Sequence, residues 1–482
     1  MKINATSPRE PLENLRGQVF GLSVDRAHVI TLGAICVIGL MLRLLTLTHY
    51  SFDGDELASY YFAHFSFLQL WTEELDTHPP LYYSIQKTML ALGDSEALLR
   101  APVALLGSLA VLLTYLLARR IVGGTAALLA AALMAISPGQ IYQSQWARPY
   151  ALLTAAALGT ALTAVGVFSN YANATLSTSG QRALYVLSLT IALYAHNIAV
   201  LLFAVTAIFG LAPIVAGRSL KCLLEWAALN CVVFLLWSWW FVVVVDQAEA
   251  GLINLSWLAP PTLGFIQDNL ASAYGPRFII FHFRSVIDFA TLVAVGIVLI
   301  SAGIVVTRRV SGKIPLAYLF ALVVCTPAGE IAISLMWRPI FTQSIIMWTV
   351  AFFYILAALV ITSLRSSRTI GILILGVAAI FVLDLWAHYR KPVGEDWRTL
   401  IEEIYIASRD GDVIVTGHPW IYAGINYYLS KHSPRALTVI DRSTAARRAW
   451  AWWAHLPTSV THLPPATDRC GSLGASGTRI PN

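Results

Sequence analysis

Long apolar stretches dominate the chain and set the strongest limit on its fold. A helix needs about 20 mainly apolar residues to cross a bilayer. Eleven stretches approach or reach that length, at 27–47, 98–118, 124–142, 150–168, 183–196, 198–216, 223–245, 286–307, 314–335, 341–363 and 369–387. Of all residues 57% are hydrophobic and 12% charged, and soluble domains carry about twice that charged fraction. The sequence therefore predicts an all-α polytopic membrane protein with about eleven transmembrane helices.

Basic residues lie at alternate ends of these stretches. They follow the second, sixth, eighth and tenth stretches, as Arg119 and Arg120, Arg218 and Lys221, Arg308, Arg309 and Lys313, and Arg365 and Arg368. Loops rich in Lys and Arg face the cytoplasm, so we expect these loops and a leader at 1–26 to be cytoplasmic. An odd number of spans then places the first long loop, residues 48–97, and the C-terminus outside.

Charge and cysteine content narrow the function class. The formal net charge is +6, but the basic residues lie in short loops and not in a stripe interleaved with aromatic residues. Nucleic acid is therefore not an expected partner. The five cysteines have neither the spacing of a metal site nor that of a disulfide framework.

Two external regions differ from simple linkers. In the first loop, residues 57–70 and 81–92 are apolar but too short to span, which is typical of helices lying in the membrane interface. After residue 390 the composition becomes that of a soluble segment. The predicted elements there are a helix at 396–408, a strand at 412–415, a helix at 420–429 and a strand at 436–440. We therefore expect a transmembrane domain at 27–389, a small external α/β domain at 390–456 and a flexible tail at 457–482.

The first loop concentrates acidic residues between two apolar stretches. They are Asp53, Asp55, Glu56, Glu73, Glu74 and Asp76. Carboxylates close to hydrocarbon are costly unless they lie at the water interface or serve a function. Gly54 is expected to free the backbone to turn before Asp55 and Glu56, and a partly desolvated carboxylate there could serve as a general base. The alternative is that Asp55 merely caps the interfacial helix that follows.

Polar residues in three other external segments are candidates for substrate contact. His78 opens the motif HPPLYY, and Lys87 follows in the second interfacial segment. Arg148 and Tyr150 lie in the turn SQWARPY after the third stretch, and Arg338 follows the ninth. A guanidinium suits a phosphate, which it can bind through two parallel hydrogen bonds. The alternative is that these residues anchor the protein at lipid headgroups or serve only its structure.

The order of these motifs resembles that of the GT-C membrane glycosyltransferases of the protein O-mannosyltransferase and aminoarabinose-transferase type. The resemblance covers about residues 25–430. It rests on the long first helix, the Asp55-Glu56 pair, HPPLYY, SQWARPYALL, Arg338, Asp396-Trp397-Arg398 and Gly411-Asp412-Val413. It looks closest to bacterial members with undefined acceptors, which implies the inner membrane and a periplasmic active site.

The resemblance implies transfer of a sugar from a polyprenyl-phosphate donor to a hydroxyl group of a lipid, glycan or protein on the external face. In such enzymes the aspartate of the first-loop pair is taken as the base, which here is Asp55, with Glu56 positioning the base or the acceptor. The additional acid Asp53 departs from the family pattern and leaves the choice of carboxylate open. The residues expected to bind substrate or phosphate are Asp53, His78, Lys87, Arg148, Tyr150 and Arg338.

The chemistry of the residues is compatible with this function. A sugar on a phosphate already has a good leaving group, so the reaction needs a base for the acceptor hydroxyl and cations for the departing phosphate. We expect a single displacement with inversion at the anomeric carbon. The aminoarabinose transferases have a metal near the site, but its ligands cannot be matched here. No cofactor is assigned, and the requirement for a divalent cation stays open.

Two other functions fit a chain of this kind. A transporter or flippase of lipid-linked glycans would bind the same lipid without chemistry, but transporters place ionisable groups near the midplane and often show paired halves. Here the charged residues concentrate on one face and the halves do not repeat, which favours an interfacial enzyme. An assembly subunit with a docking tail is the second alternative.

Overall fold

The computed structural model describes residues 26–73, 75–249, 258, 260–278, 284–308, 313–390, 395–409, 411–432 and 437–441. The predicted leader, apart from Arg26, and the predicted flexible tail lie outside these residues, as does Glu74. The regular elements of the described chain are helices, apart from two short strands. This agrees with the all-α membrane fold expected from the sequence.

The described residues of the first half of the chain form eleven helices. They are α1 (Arg26–Leu44), α2 (Gly54–Phe62), α3 (Phe67–Thr72), α4 (Leu81–Leu90), α5 (Glu96–Ile121), α6 (Gly124–Ile136), α7 (Pro138–Ser144), α8 (Tyr150–Ala172), α9 (Ser179–Ala195), α10 (Ala199–Phe209) and α11 (Leu211–Gly217).

The second half continues the bundle and ends in a small mixed unit. Its elements are α12 (Leu220–Glu249), α13 (Leu263–Tyr274), α14 (Arg284–Arg308), α15 (Lys313–Met336), α16 (Gln343–Ile346), a 3-10 turn (Met347–Thr349), α17 (Val350–Thr362), α18 (Ser367–Arg390), α19 (Trp397–Ala407), β1 (Val413–Thr416), α20 (Pro419–His432) and β2 (Thr438–Asp441).

Nine helical segments of the described chain are long and apolar enough to cross a membrane. They are α1, α5, α8, α10 with α11, α12, α14, α15, α16 with α17, and α18. The bent pair α6 and α7 is a tenth. Helix α9 has 17 residues, but it starts beside Asn170 at the end of α8 and finishes beside Tyr150 at its beginning. Counted with α9, the described segments number eleven like the predicted stretches, and nine or ten of them are long and apolar enough to span.

The third predicted span is broken. Helices α6 and α7 meet at an angle of 59°, because Pro138 has no N–H to donate to the carbonyl of Met134. A Cβ atom on Gly124, at the start of α6, would lie 2.8 Å from Nε2 of His28 at the beginning of α1. Beyond the other end, Gln145 Nε2 donates to the Leu45 carbonyl after α1 at 2.6 Å. The pair therefore covers the full length of α1 as one broken span.

Arg43, on α1, binds the backbone at this break. Its guanidinium is fully buried and donates to the carbonyls of Met134 and Ala135 at 3.0 Å each. Its Nε donates to Ser144 Oγ at the end of α7 at 3.2 Å. A buried carbonyl without a partner is costly in a bilayer, where no water replaces the lost bond. One side chain thus stabilises both halves of the broken span.

Contacts between helix ends show which loops share a side. On one side the first loop contacts the ends of α9 and α12, through Asn197 to the Thr77 carbonyl and Gln247 to the Asp76 carbonyl. On the opposite side Glu225 of α12 pairs with Arg182 of α9 at 2.6 Å. Arg120 lies on this second side, since a Cβ on Gly166 would contact both Arg120 Nη1 and Gln181, beside Arg182, and Arg218 follows Gly217, which approaches the Tyr171 carbonyl. The first loop and the C-terminal unit lie on the first side.

The predicted interfacial segments form three short helices. The first segment is divided into α2 and α3, because Ser66 and Gln69 form a reciprocal cap that starts a new helix. The second segment is α4. Gly54 does not have a positive φ, so its predicted turning role is wrong. It is the first residue of α2, and a Cβ there would lie 3.1 Å from Trp420 Cε3, so glycine admits a close contact.

The C-terminal unit has the predicted order of helix, strand, helix and strand. Asp396 caps α19 by accepting from the Thr399 N–H, and β1 pairs in parallel with β2, with Val413 opposite Thr438. Helix α20 connects the two strands, as a parallel pair requires. The unit packs on the first loop, which places its helices beside the acidic residues.

We predict that Arg43→Met weakens the fold strongly. Two carbonyls at the break lose their partners, and each unsatisfied buried group costs about 1–3 kcal/mol. Thermal unfolding of purified protein in detergent measures the change. Arg120→Met is the matched control, because Arg120 is exposed and donates one hydrogen bond, to the Leu162 carbonyl. Equal melting temperatures for the two variants would contradict the capping role of Arg43.

Candidate active site

Asp53 caps helix α2. Its Oδ1 accepts the N–H of Glu56 at 2.9 Å, and its Oδ2 accepts the indole N–H of Trp146 at 2.7 Å. The Glu56 carboxylate in turn accepts the Asp53 N–H, which completes a capping box. Asp53 is therefore the cap of this helix, and the alternative that Asp55 caps it is wrong.

Glu56 forms a buried ion pair with Arg100 of α5. The guanidinium donates to both carboxylate oxygens, at 2.8 and 2.6 Å. The Ala147 N–H, in the turn after α7, donates to the same carboxylate at 2.8 Å. All of these groups are buried. Glu56 thus holds α2, α5 and the turn after α7 together, and its oxygens are already used by protein donors.

Asp55 differs from the two neighbouring acids. Its side chain is exposed, and among the described residues no hydrogen bond or ion pair is found for its carboxylate. Its backbone carbonyl accepts from Arg148 Nη1 at 3.3 Å. Of the three acids, Asp55 has the carboxylate that remains accessible to a substrate.

Arg148 is buried behind Asp55 and contacts a histidine–aspartate pair. Its Nη2 lies 3.3 Å from His78 Nε2, and His78 Nδ1 lies 3.1 Å from the Asp76 carboxylate. A guanidinium can only donate, so Nε2 accepts and the Nδ1 proton is donated to Asp76. Burial alone would raise the pKa of Asp76, but His78 and Arg148 outweigh it and hold that pKa well below its usual range. Arg148 Nε is buried without a partner among the described residues.

Arg277 is a cation that the sequence analysis did not single out. Its guanidinium lies 4.2 Å from the ring centroid of Tyr142, and Tyr142 packs against Trp146 at 5.6 Å. Trp146 is the residue that binds Asp53. Within the described chain, the buried Nη1 of Arg277 has no partner. The sequence showed only that Arg277 lies in an external loop. That position did not distinguish a site residue from an arginine that anchors the protein at the membrane interface.

The remaining predicted site residues lie in different surroundings. Tyr150 stacks on Trp146 at 5.3 Å and packs against His196, whose ring lies 5.1 Å from that of His78. Lys87 belongs to α4, and its ammonium lies 3.5 Å from the Ala63 carbonyl at the C-terminal end of α2, away from Asp53 and Asp55. Arg338 lies 6.0 Å from the Trp337 ring. The structure thus brings Asp53, Asp55, Glu56, His78, Arg148 and Tyr150 together, and these contacts do not bring in Lys87 or Arg338.

In the described part of the chain, no group of three or more His, Cys, Asp or Glu side chains has a geometry that could hold a metal ion. The described residues therefore offer no candidate ligands for the divalent cation whose requirement the sequence left open.

Comparisons with known proteins give a fold and no sequence relative. No protein-family model matches the sequence, and no curated protein matches it. Among solved structures, ArnT from Cupriavidus metallidurans superposes with a TM-score of 0.54 at 12% identity, covering 86% of both chains. The apo oligosaccharyltransferase from Archaeoglobus fulgidus gives 0.53 at 15% identity, covering 85% of this chain.

The chain has the GT-C fold. The fold expected from the order of motifs is thereby confirmed. A further similar structure is the Archaeoglobus fulgidus oligosaccharyltransferase AglB in complex with an inhibitory peptide and a dolichol-phosphate, with a TM-score of 0.51, 14% identity and 86% of this chain covered. The alignment spans about two thirds (64%) of the length of these archaeal enzymes.

We predict that the Glu56–Arg100 pair is strongly coupled within this GT-C fold. Replacing either residue by Met leaves a buried charge unpaired, which costs about 3–5 kcal/mol. The double variant should lose much less than the sum of the two single losses. A double-mutant cycle on the free energy of unfolding measures the coupling. The exposed pair Asp94–Lys431, at 3.1 Å, is the control and should couple by about 1 kcal/mol or less. Additive losses at Glu56 and Arg100 would contradict the prediction.

A second prediction concerns pH. Burial, together with Glu56 and Asp55, raises the pKa of Asp53 from 3.8 to about 8. Between these values the native state keeps a proton that the unfolded chain releases, so the wild type loses stability as pH rises through this interval. Asp53→Asn has no such group. Its melting temperature relative to wild type should therefore rise with pH and level off above about 8. A difference that stays constant with pH would refute this.

Proposed function

We propose that the protein is a membrane glycosyltransferase that moves a sugar from a polyprenyl-phosphate donor to a hydroxyl acceptor. The observation that carries the proposal is the accessible carboxylate of Asp55 beside the buried guanidinium of Arg148. A base and a phosphate-binding cation are the two groups that the reaction needs. The fold shared with ArnT and with an oligosaccharyltransferase solved with dolichol-phosphate supports the choice of donor.

Asp55 is the proposed base. Asp53 is engaged in capping and in the bond from Trp146, and Glu56 is engaged in the ion pair with Arg100. Glu56 would have to leave its partners to take a proton, and Asp53, whose pKa is raised to about 8, already carries one near neutral pH. Asp55 requires no such change, and Glu56 acts on the reaction by positioning the peptide that carries Asp55.

Arg148 and Arg277 are the proposed phosphate-binding residues. Each has a buried N–H without a partner in the described chain, and such a donor costs about 1–3 kcal/mol unless a ligand satisfies it. His78 Nε2 accepts a hydrogen bond from Arg148 Nη2 and so orients the guanidinium. Lys87 and Arg338 were also expected from the sequence to bind substrate or phosphate. They would contact the substrate only where its lipid chain or the acceptor extends to them.

The reaction follows as a single displacement. The acceptor oxygen bonds to the anomeric carbon while the bond from that carbon to the phosphate oxygen breaks. The hydroxyl proton passes to Asp55, and the polyprenyl phosphate leaves with the electron pair. The configuration at the anomeric carbon is inverted. The position of the basic loops on the opposite side of the bundle supports, by the positive-inside rule, a site on the external face of the membrane, which in a bacterial cell is the periplasmic face.

One observation favours the alternative of a lipid-linked glycan transporter. Glu330 on α15 is fully buried, and neither carboxylate oxygen has a partner among the described residues. An ionisable group inside a spanning helix is typical of a transport pathway. The acidic and basic residues of the candidate site nevertheless gather at one end of the bundle, and this favours the transferase.

The test is transfer of radiolabelled sugar from a polyprenyl-phosphate donor by purified protein, with membrane extract as the acceptor pool. We expect Asp55→Asn to lower the rate by about 10²–10⁴-fold, the usual contribution of a general base. Glu73→Gln is the matched control, because Glu73 is an exposed acid of the same loop outside the site, and it should keep wild-type activity.

Each other outcome has a defined meaning. Full activity in Asp55→Asn would move the base to Asp53 or Glu56. Retention of configuration, or a covalent sugar on the protein, would exclude the single displacement. Movement of labelled lipid between leaflets without donor consumption, abolished in Glu330→Gln, would replace the transferase by the transporter.

A further inference from the structure

The C-terminal unit binds the backbone that leads into the acidic residues. The hydroxyl of Tyr428, on α20, accepts the Phe52 N–H at 2.6 Å and donates to the carboxylate of Glu96. Arg398, on α19, forms an ion pair with the same carboxylate and donates to the Tyr50 carbonyl at 3.2 Å. Glu96, the first residue of α5, is therefore the point where two helices of the C-terminal unit meet the transmembrane bundle.

The bundle binds the same segment from the other side. Arg100 Nη1 donates to the carbonyls of Leu47 and Tyr50, at 2.7 and 2.9 Å, and Nη2 donates to the Ser51 carbonyl at 3.2 Å. Residues 51–53 belong to no helix or strand. Backbone groups without regular partners depend on such side-chain contacts. The path of the chain into Asp53 is thus set jointly by Arg100 from the bundle and by Tyr428 and Arg398 from the C-terminal unit.

The C-terminal unit also contacts helix α2 itself. The Tyr61 hydroxyl donates to the Ala423 carbonyl at 3.0 Å. At the other end of α2 the ring of Trp420 approaches Gly54 closely enough that a Cβ would lie 3.1 Å from Cε3. Gly54 lies between Asp53 and Asp55. Helix α20 therefore supports both ends of the helix that carries Asp55.

We propose that Tyr428 is a positioning residue of the candidate active site, through which the C-terminal unit fixes the location of Asp55. The proposal rests on the proposed function and assigns a role to the unit within it. Tyr428 acts on the reaction through the Phe52 peptide, one residue before Asp53, and touches neither the substrate nor the reacting atoms. Arg398 acts on the same segment through Tyr50.

The test compares Tyr428→Phe with Tyr427→Phe. The adjacent Tyr427 hydroxyl donates to the Asp94 carbonyl at 2.8 Å, so the control removes one hydrogen bond between the unit and the first loop, whereas Tyr428→Phe removes two, from the Phe52 N–H and to Glu96. The control leaves the Phe52 N–H bonded. We expect Tyr428→Phe to lower kcat by about 10- to 100-fold, because small misplacements of a reacting group have effects of that size. The KM for the donor should stay within about twofold, and the control should retain kcat.

Hydrogen exchange measured on the peptides that cover residues 47–56 is the second readout. We expect faster exchange there in Tyr428→Phe than in Tyr427→Phe, with equal melting temperatures. Arg398→Lys keeps a charge for Glu96 but loses the fork that reaches the Tyr50 carbonyl, and it should show the same two effects. It also keeps the proposal testable if Tyr428→Phe does not fold.

The outcomes separate this proposal from the proposed function. A wild-type protein that transfers no sugar refutes the function, and faster exchange in Tyr428→Phe alone then still supports the positioning of the loop. Equal kcat and equal exchange in the Tyr428 and Tyr427 variants overturn the positioning role while wild-type transfer stands. A lower kcat accompanied by an equally lowered melting temperature in both variants also overturns it, because that result indicates general loss of docking.

Discussion

The ion pair between Glu56 and Arg100 is the interaction on which the geometry of the candidate site depends. It joins helix α2, helix α5 and the turn after α7, since Glu56 also accepts the Ala147 N–H. A buried ion pair stabilises a fold only where further hydrogen bonds compensate the lost solvation. Arg100 supplies these by donating to the carbonyls of Leu47, Tyr50 and Ser51. The same groups that make the pair tolerable therefore bring Asp53, Asp55 and Arg148 to one place.

Several arginines of this molecule bind irregular backbone, whether or not they also form an ion pair. Arg43 binds the carbonyls at the broken span, and Arg100 and Arg398 bind the segment that enters α2. Broken or irregular backbone is tolerated in and near a bilayer only where protein groups satisfy it. A guanidinium offers five donors in a fixed fork, and an ammonium offers a point charge on a flexible stem. Lysine could not satisfy several carbonyls from one direction in the same way.

The parts of the fold that depend on local sequence were predictable. Hydropathy located the spans, and the strand and helix patterns after residue 390 gave the order of the C-terminal unit. The break at Pro138 lay inside the predicted stretch 124–142, where the apolar composition hid it. The roles of the arginines could not be predicted, because Arg100 acquires its role from Glu56, 44 positions earlier, and Arg277 from Tyr142, 135 positions earlier. The same limit applies to the acids: Asp53, Asp55 and Glu56 are nearly adjacent, and their different partners arise from distant helices.

The pattern of satisfied and unsatisfied groups is the strongest argument for where a substrate binds. Arg43 and Arg100 have carbonyl or carboxylate partners on both terminal nitrogens, so they are complete without a ligand. Arg148 and Arg277 each keep a buried N–H without a partner in the described chain, and the Asp55 carboxylate is exposed. The two polar groups of Asp55 therefore have different surroundings. Its backbone carbonyl accepts a hydrogen bond from Arg148, and its carboxylate is exposed. An in-line displacement needs this separation, because the proton acceptor and the departing phosphate lie on opposite sides of the sugar carbon. A ligand that bridges them would give partners to the unpaired N–H groups of Arg148 and Arg277 and to the Asp55 carboxylate.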